Sequence, residues 1–518
     1  MRGHVFVVRA DIRRLVCDAW LLPTDARPYV VPGWFAPPRD AAPATLAWLA
    51  TFRDAVDRAC AAAFGRNEYV RVIDAPSASG AVPILTRTAA DFATVDWDLV
   101  QKAVAAFVKQ ARRLPRSGPA GRRRRPLLAV PAVGTGSGGG AAVKGEALDQ
   151  LLHRLSALAD GVDLALVVGS PAMAAAARSH RRHGHHRGGF IRELGPQLVG
   201  EAELLAGRVR RGEVVLFTGA GTGVPAGLPT WDGLLRQLAG GDMFSEPDLQ
   251  ALSALDKAAI IERKLGRKGL VDAIADAVTG DRYALSHALL ANLPISEAAT
   301  LNYDELLETA AADAGRRLAV LPYERPGADY DGWLLKMHGC VRPDRRADIV
   351  LTRADYLSLS QHRAALTGLL QAMLVTRHMF FVGFGLGDEH FHAVIHDVRR
   401  ALLAPGDAAK EPFGTALVLR PQPAAELVWA DDLRLLAMGG DDAPRRLEIF
   451  LDLLANESDQ GWQHVLDDSF TSVLEGPEVA LREHLRTLIA ARGVLEGGGA
   501  WPAVETMLRR FGWEEADA

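Results

Sequence analysis

Three glycines separated by single residues, Gly219, Gly221 and Gly223, follow directly on the apolar run Val214-Val215-Leu216-Phe217-Thr218. A run ending this way lets the backbone turn tightly, pass close to a ligand and aim N–H groups at phosphate oxygens, so nucleotide binding is the chemistry it suggests. Three later stretches, Ala298 to Asp304, Trp333 to Gly339 and His378 to Gly385, each carry a short apolar run that delivers a polar residue or glycine at its carboxyl end. As parallel strands of one sheet, they would bring Asn302, His338 and Gly383 out at the edge where open α/β sheets bind ligands, beside the glycine loop. One crevice then holds a carboxamide, an imidazole and a nucleotide loop. Gly221, Gly223 and Ala226 also satisfy G-x-G-x-x-A, but no second strand ending in an acidic residue follows about 20 residues later, so hydride transfer is disfavoured.

The segments GAG (219 to 221), GLPTW (227 to 231), TLNYD (300 to 304), KMHG (336 to 339) and GFGLGD (383 to 388) stand in the order and spacing of the SIR2-like (sirtuin-related) NAD-consuming domains, which residues 205 to 425 resemble. The resemblance implies that Gly219, Ala220 and Gly221 hold the NAD phosphates and that Gly383 and Gly385 let the backbone approach the cofactor. It further implies that Asn302 positions the nicotinamide ribose or its attacking water, with His338 as general base. Thr222, Pro229, Trp231, Asp304 and Asp388 complete the expected cofactor-binding set, Asp304 also being expected to cap a helix that starts at Glu305. Two positions depart from the family: Gly223 and Gly385 stand where serines are usual. The protein deacylases of the family carry a zinc on paired cysteine motifs. This chain has only Cys17, Cys60 and Cys340 and no C-x-x-C, so no zinc is expected and the likeness is to the zinc-free branch.

That branch implies an NAD+ hydrolase releasing nicotinamide and ADP-ribose, with NAD as substrate, acting as an effector of bacterial anti-phage defence. The chemistry agrees. Cleaving the nicotinamide–ribose bond expels a neutral leaving group from an oxocarbenium-like centre and needs an orienting amide, a proton acceptor and an apolar shield, roles that fit Asn302, His338 and Trp231. Two other readings stand beside it: a non-catalytic sensor of NAD-derived nucleotides, and a protein deacylase or ADP-ribosyltransferase.

The expected fold class is α/β: a Rossmann-like parallel sheet in the SIR2-like domain over 196–440, a preceding α/β domain over 1–177, a linker over 178–195 and a helical C-terminal extension over 441–518. Strands are expected at Val5 to Val8, Ala19 to Leu22, Pro126 to Val130 and Asp163 to Val168. Arg9 to Asp25 and Pro131 to Gly140 resemble the macro domain, which binds ADP-ribose. Asp11 falls where that family's aspartate meets adenine, and Gly134, Gly136 and Gly138 fall in its phosphate loop, whereas Leu22 and Asp25 replace frequent asparagines. The four histidines between Arg178 and Gly189 are interleaved with Arg and Gly and read as a solvated linker, not a metal site. The basic run Arg112 to Arg125 reads as an exposed loop.

At 518 residues and a formal charge of −4, with no 18-residue apolar run, the chain is expected to be a multidomain protein that neither inserts in a membrane nor binds nucleic acid directly. A strand pattern starting at Val5 and unpaired cysteines point to the cytoplasm. The expected partners are NAD or an ADP-ribose-like nucleotide, with a defence protein or further copies of the chain as gating partners.

Overall fold

The computed structural model describes residues 2–38, 43–75, 80–90, 95–135, 142–183, 187–240, 243, 251–401, 412–474 and 476–513. The chain divides into two compact units, Met1–Ala202 with Asp452–Ala518, and Glu203–Leu451.

In the first unit a six-stranded sheet runs in the order β1-β6-β5-β2-β4-β3, from β1 (Val5–Arg9), β2 (Ala19–Thr24), β3 (Val70–Val72), β4 (Val82–Arg87), β5 (Leu127–Pro131) and β6 (Asp163–Val168). All its pairings are parallel except β3 with β4. Phe470 and Val473 join the core formed by this sheet and its helices. Residues after 452 are thus packed on the N-terminal fold. Asp452 shows why. Its buried carboxylate accepts from Arg181 at 3.0 and 2.7 Å and lies 2.7 Å from Nε2 of His4. Burial works against this charge, yet Arg181 and His4 hold the carboxyl far below the usual range.

The same ion pair overturns the linker reading of the Arg/His stretch. Residues 178–183 lie in the helix Pro171–His183, whose alanine face (Ala174 to Ala177) is buried and whose Arg178 and Arg181 are buried too. The next helix, Arg187–Arg210, is broken at Gly195 (φ 79°) ahead of Pro196. His185 and His186 lie outside the described residues. Within the basic run, Arg116 pairs with Asp18 at 2.8 Å and Arg123 with Asp163 at 3.6 Å, so these two arginines are not free for a polyanion. Asp11 is likewise engaged, accepting from Arg13 at 2.9 and 2.6 Å, and Gly136 and Gly138 lie outside the described residues.

The second unit is built on a seven-stranded, fully parallel sheet in the order β13-β12-β11-β7-β8-β10-β9. Its strands are β7 (Val214–Thr218), β8 (Glu297–Thr300), β9 (Leu318–Leu321), β10 (Gly332–Lys336), β11 (His378–Val382), β12 (Gly414–Val418) and β13 (Leu433–Ala437). The central strands are buried along nearly their whole length, as expected when helices cover both faces, and this explains their continuous apolar sequences. From β7 the chain proceeds to β8 on one side and later to β11 on the other. The switch point where α/β sheets open a crevice therefore lies between β7 and β11. Register makes the crevice sharp: Thr218 is level with Val382 and with Thr300, and Thr300 with Lys336. Beneath this edge Phe217, Phe381, Phe384 and Phe391 pack ring to ring with centroids 4.8–5.9 Å apart. The fully buried Phe217, Phe381 and Phe391 each contribute roughly 1.5–3 kcal/mol by burial, and the partly buried Phe384 with Phe391 pins the loop that follows β11. Among the described residues, no helix is long and apolar enough to cross a membrane.

Candidate active site

The loop after β7 is shaped by contact with the loop after β11. The N–H of Gly219 donates to the carbonyl of Val382 (3.1 Å) and that of Gly221 to the carbonyl of Gly383 (2.9 Å). A Cβ on Gly219 would lie 2.7 Å from the Gly383 oxygen, and one on Gly221 would lie 2.8 Å from it. Gly383 has φ +67° and its Cβ would lie 2.4 Å from the Thr222 nitrogen. These glycines let two backbones touch, and the amides of Gly219 and Gly221 are spent on that contact, not left for phosphate. Gly385 differs, with nothing within 4 Å of an added Cβ. Gly223 is intermediate, its Cβ position 3.2 Å from the Leu228 side chain.

Asn302 lies just beyond β8. Its backbone N–H donates to Thr300 Oγ1 (3.0 Å), and that hydroxyl donates to the Thr218 carbonyl (2.9 Å). Its Nδ2 donates to the Gly219 carbonyl (3.2 Å) and reaches Thr222 Oγ1 at 3.4 Å. The buried Thr222 hydroxyl in turn donates to Gly219 O at 2.8 Å. The carboxamide is thereby fixed by the glycine loop, with its oxygen left as an acceptor. Thr222 supplies a hydroxyl one residue before the position where Gly223 lacks one.

His338, two residues past β10, is 2% exposed. Its Nε2 has no hydrogen-bond partner among the described residues, and its ring meets Tyr356 edge-on with centroids 5.2 Å apart. Burial lowers its pKa to about 4, although Asp388 pulls the other way. The imidazole is therefore neutral at pH 7 and able to accept a proton. Burial also lowers the pKa of the neighbouring His390.

The two aspartates serve different ends. Asp304 Oδ1 accepts from the Leu306 N–H (3.0 Å) and so opens the helix Leu306–Asp313; burial raises its pKa. Beneath it the buried Lys336 ammonium donates to the Asp304 carbonyl and to Glu308. Burial opposes the lysine's charge, but Glu308 holds its pKa above the ordinary range. Asp388 accepts from Phe391 N–H (2.9 Å), capping the helix Glu389–Ala401, and from the Tyr356 hydroxyl (2.6 Å).

The loop residues 219–221, 383 and 385 line one cleft of about 720 Å³ with Asn302, Asp304, His338, Tyr356 and Asp388, together with Pro229, Trp231, Tyr303, Phe384 and the end of β12. The volume suits a nucleotide. Every expected site residue thus lines this cleft or, as Thr222, braces it. Tyr356 and Glu308 are not singled out by sequence, since neither belongs to a strand-end motif, and Lys336 stands in the KMHG segment without being given a role there. His338, Asp388 and His390 each bring one ligand atom within 4.8 Å of the others, a spacing that could take a metal ion. Both Asp388 oxygens already accept hydrogen bonds, however, and His390 Nε2 sits 3.2 Å from Thr367 Oγ1.

This parallel sheet carries a glycine loop, a carboxamide and an imidazole at one edge. Residues 296–432 match the family described as SIR2-like domain, so the chain carries such a domain. It is 25% identical over 224 residues to Defense-associated sirtuin 2 of Bacillus subtilis, covering 42% of this chain and 21% of that protein. It is 29% identical over 204 residues to the NAD(+) hydrolase ThsA of Enterococcus faecium (38% and 41%). Identity to ThsA of Acinetobacter baumannii is 30% over 193 residues (36% and 39%). The matches span less than half the length of each of these relatives.

Proposed function

We propose that the second unit hydrolyses NAD+ at the nicotinamide–ribose bond, giving nicotinamide and ADP-ribose. The observation that carries this is the convergence of Asn302 and His338, from separate strand ends, on the glycine loop in one cleft. In the reaction the C1′–N bond breaks with its electron pair leaving on the nicotinamide nitrogen. A water oxygen bonds to C1′, and the water's proton passes to neutral His338 and then to solvent. Asn302 orients the ribose or the water, and Trp231 and Phe384 shield the nicotinamide.

Relatives named as NAD(+) hydrolases and as a defence-associated sirtuin support this reading and a role in anti-phage defence. Such an enzyme meets its substrate in the cytoplasm and needs gating. We assign the gate to a nucleotide on the N-terminal unit, a partner defence protein or self-assembly. No zinc has a part in this reading, because the chain lacks paired cysteines. Chromatography of NAD incubated with the protein tests it: nicotinamide and ADP-ribose should accumulate. Binding without turnover would make the domain a sensor.

A further inference from the structure

We propose that Asp388 is a positioning residue for His338, supplying the fixed negative charge that stabilises the imidazolium formed when His338 takes the proton of the attacking water. The inference rests on the NAD-hydrolysis reading for its chemistry, and its geometry is independent of that reading.

A buried imidazole that stays neutral keeps a lone pair for a proton, but burial weakens it as a base because the cation it becomes needs a counter-charge in a dry site. The charged and titratable groups around His338 are Asp388, His390, Arg363 and Asp355, with Tyr356 against its ring. Arg363 is committed to backbone carbonyls, donating to Met337 at 2.7 Å and also to Asp348. Asp355 is neutralised by Arg267 at 3.0 Å and by the amides of Leu351 and Thr352, both at 2.9 Å. Asp388 alone of the two carboxylates pairs with no cation among the described residues. One of its oxygens lies within 4.8 Å of a His338 ring nitrogen.

Its carboxylate is also held still. The Phe391 N–H fixes Oδ1 at 2.9 Å and the Tyr356 hydroxyl fixes Oδ2 at 2.6 Å. Burial first, and then Asp388 itself, hold the Tyr356 hydroxyl protonated far above the ordinary phenol range, so it remains a donor to the carboxylate. Tyr356 thus orients Asp388, and Asp388 supports His338, the division of labour seen wherever a carboxylate orients and stabilises a catalytic imidazole. The proton itself stays on His338 and leaves to solvent, and neither Asp388 nor Tyr356 changes protonation.

Asp388→Asn separates this role from helix capping, because the Asn oxygen still accepts the Phe391 N–H while the charge is gone. In the full chain, D388N should keep the parent melting temperature. Its kcat should fall about 100-fold or more, and the NMR titration of the His338 imidazole should move to lower pH. Y356F should shift both readouts in the same direction by less. A D388N protein with parent kcat and an unmoved His338 titration would overturn the proposal, and so would a loss of kcat matched by a fall in melting temperature with the titration unmoved. If the parent releases no nicotinamide, the hydrolase reading fails, and the His338 titration in D388N still decides the pairing.

Discussion

Two cleft glycines that look alike in the sequence should respond oppositely to a side chain. At Gly383, φ is +67° and an added Cβ would lie 2.4 Å from the Thr222 nitrogen and 2.9 Å from the Gly221 carbonyl carbon. Alanine there costs about 1–2 kcal/mol for the left-handed backbone. It costs about 1–3 kcal/mol more because the β7 loop must retreat, backbone against backbone, with no flexible side chain to give way. Retreat breaks the 2.9 Å bond from Gly221 N to Gly383 O and shifts the Gly219 carbonyl that anchors Asn302. Gly383→Ala should therefore lower the melting temperature by roughly 4–20 °C at about 2–4 °C per kcal/mol, and should lower NAD turnover even at temperatures where the variant stays folded. Gly385→Ser meets nothing within 4 Å, so it should leave stability within about 0.5 kcal/mol and leave turnover unchanged or improved. Differential scanning calorimetry with an NAD-cleavage assay on both variants checks the pair. Equal melting temperatures for the two variants would refute the loop-contact argument.

Burial pushes His338 and His287 to about 4, below the unfolded value of about 6.5. The unfolded chain thus binds more protons between those limits, and stability present above pH 6.5 should be lost as pH falls toward 4, by on the order of 3 kcal/mol per histidine; urea unfolding at pH 7 and pH 4.5 with equal midpoints would contradict this. Elemental analysis of the purified chain should find no stoichiometric zinc, and one tightly held zinc per chain would reopen the deacylase reading. ADP-ribose binding to the N-terminal unit should change NAD turnover of the full chain, since a ligand shifts an equilibrium only by its differential affinity. Calorimetry with ADP-ribose and turnover of the full chain and of Gly136→Glu test this, and absence of binding together with unchanged turnover would reduce that unit to a scaffold.

The parts of the fold that sequence makes legible are those where physics acts locally. The strands β7 and β11 are apolar runs followed directly by glycine, and β8 and β10 are short apolar stretches with Asn302 and His338 two residues beyond their ends, because both sheet faces are covered and the chemistry sits at one edge. Hence Asn302, His338 and Gly383 point to one crevice before any coordinates. Strands with no motif residue beyond the carboxyl end escape notice, as β9 does, and so do interrupted ones, since β4 carries Pro83 in second position. The helical reading of 178–183 is hidden because Arg178, Arg181 and Arg182 look solvated until Asp452, far along the chain, comes to meet Arg181. Tyr356 is hidden for the same reason. Its partner Asp388 lies on another element, and nothing in the helix Arg353–His362 marks the residue that turns inward.

The most direct test of the central claim is quantitative release of nicotinamide from NAD+ by the parent chain, Asn302→Ala and His338→Ala, each shown by its melting temperature to be folded. The parent should convert NAD+ to nicotinamide and ADP-ribose in equal amounts, and each variant should be slower by about 100-fold or more, the cost of losing an orienting group or general base. A parent that releases no nicotinamide, or either variant turning over NAD+ at the parent rate, would contradict the account.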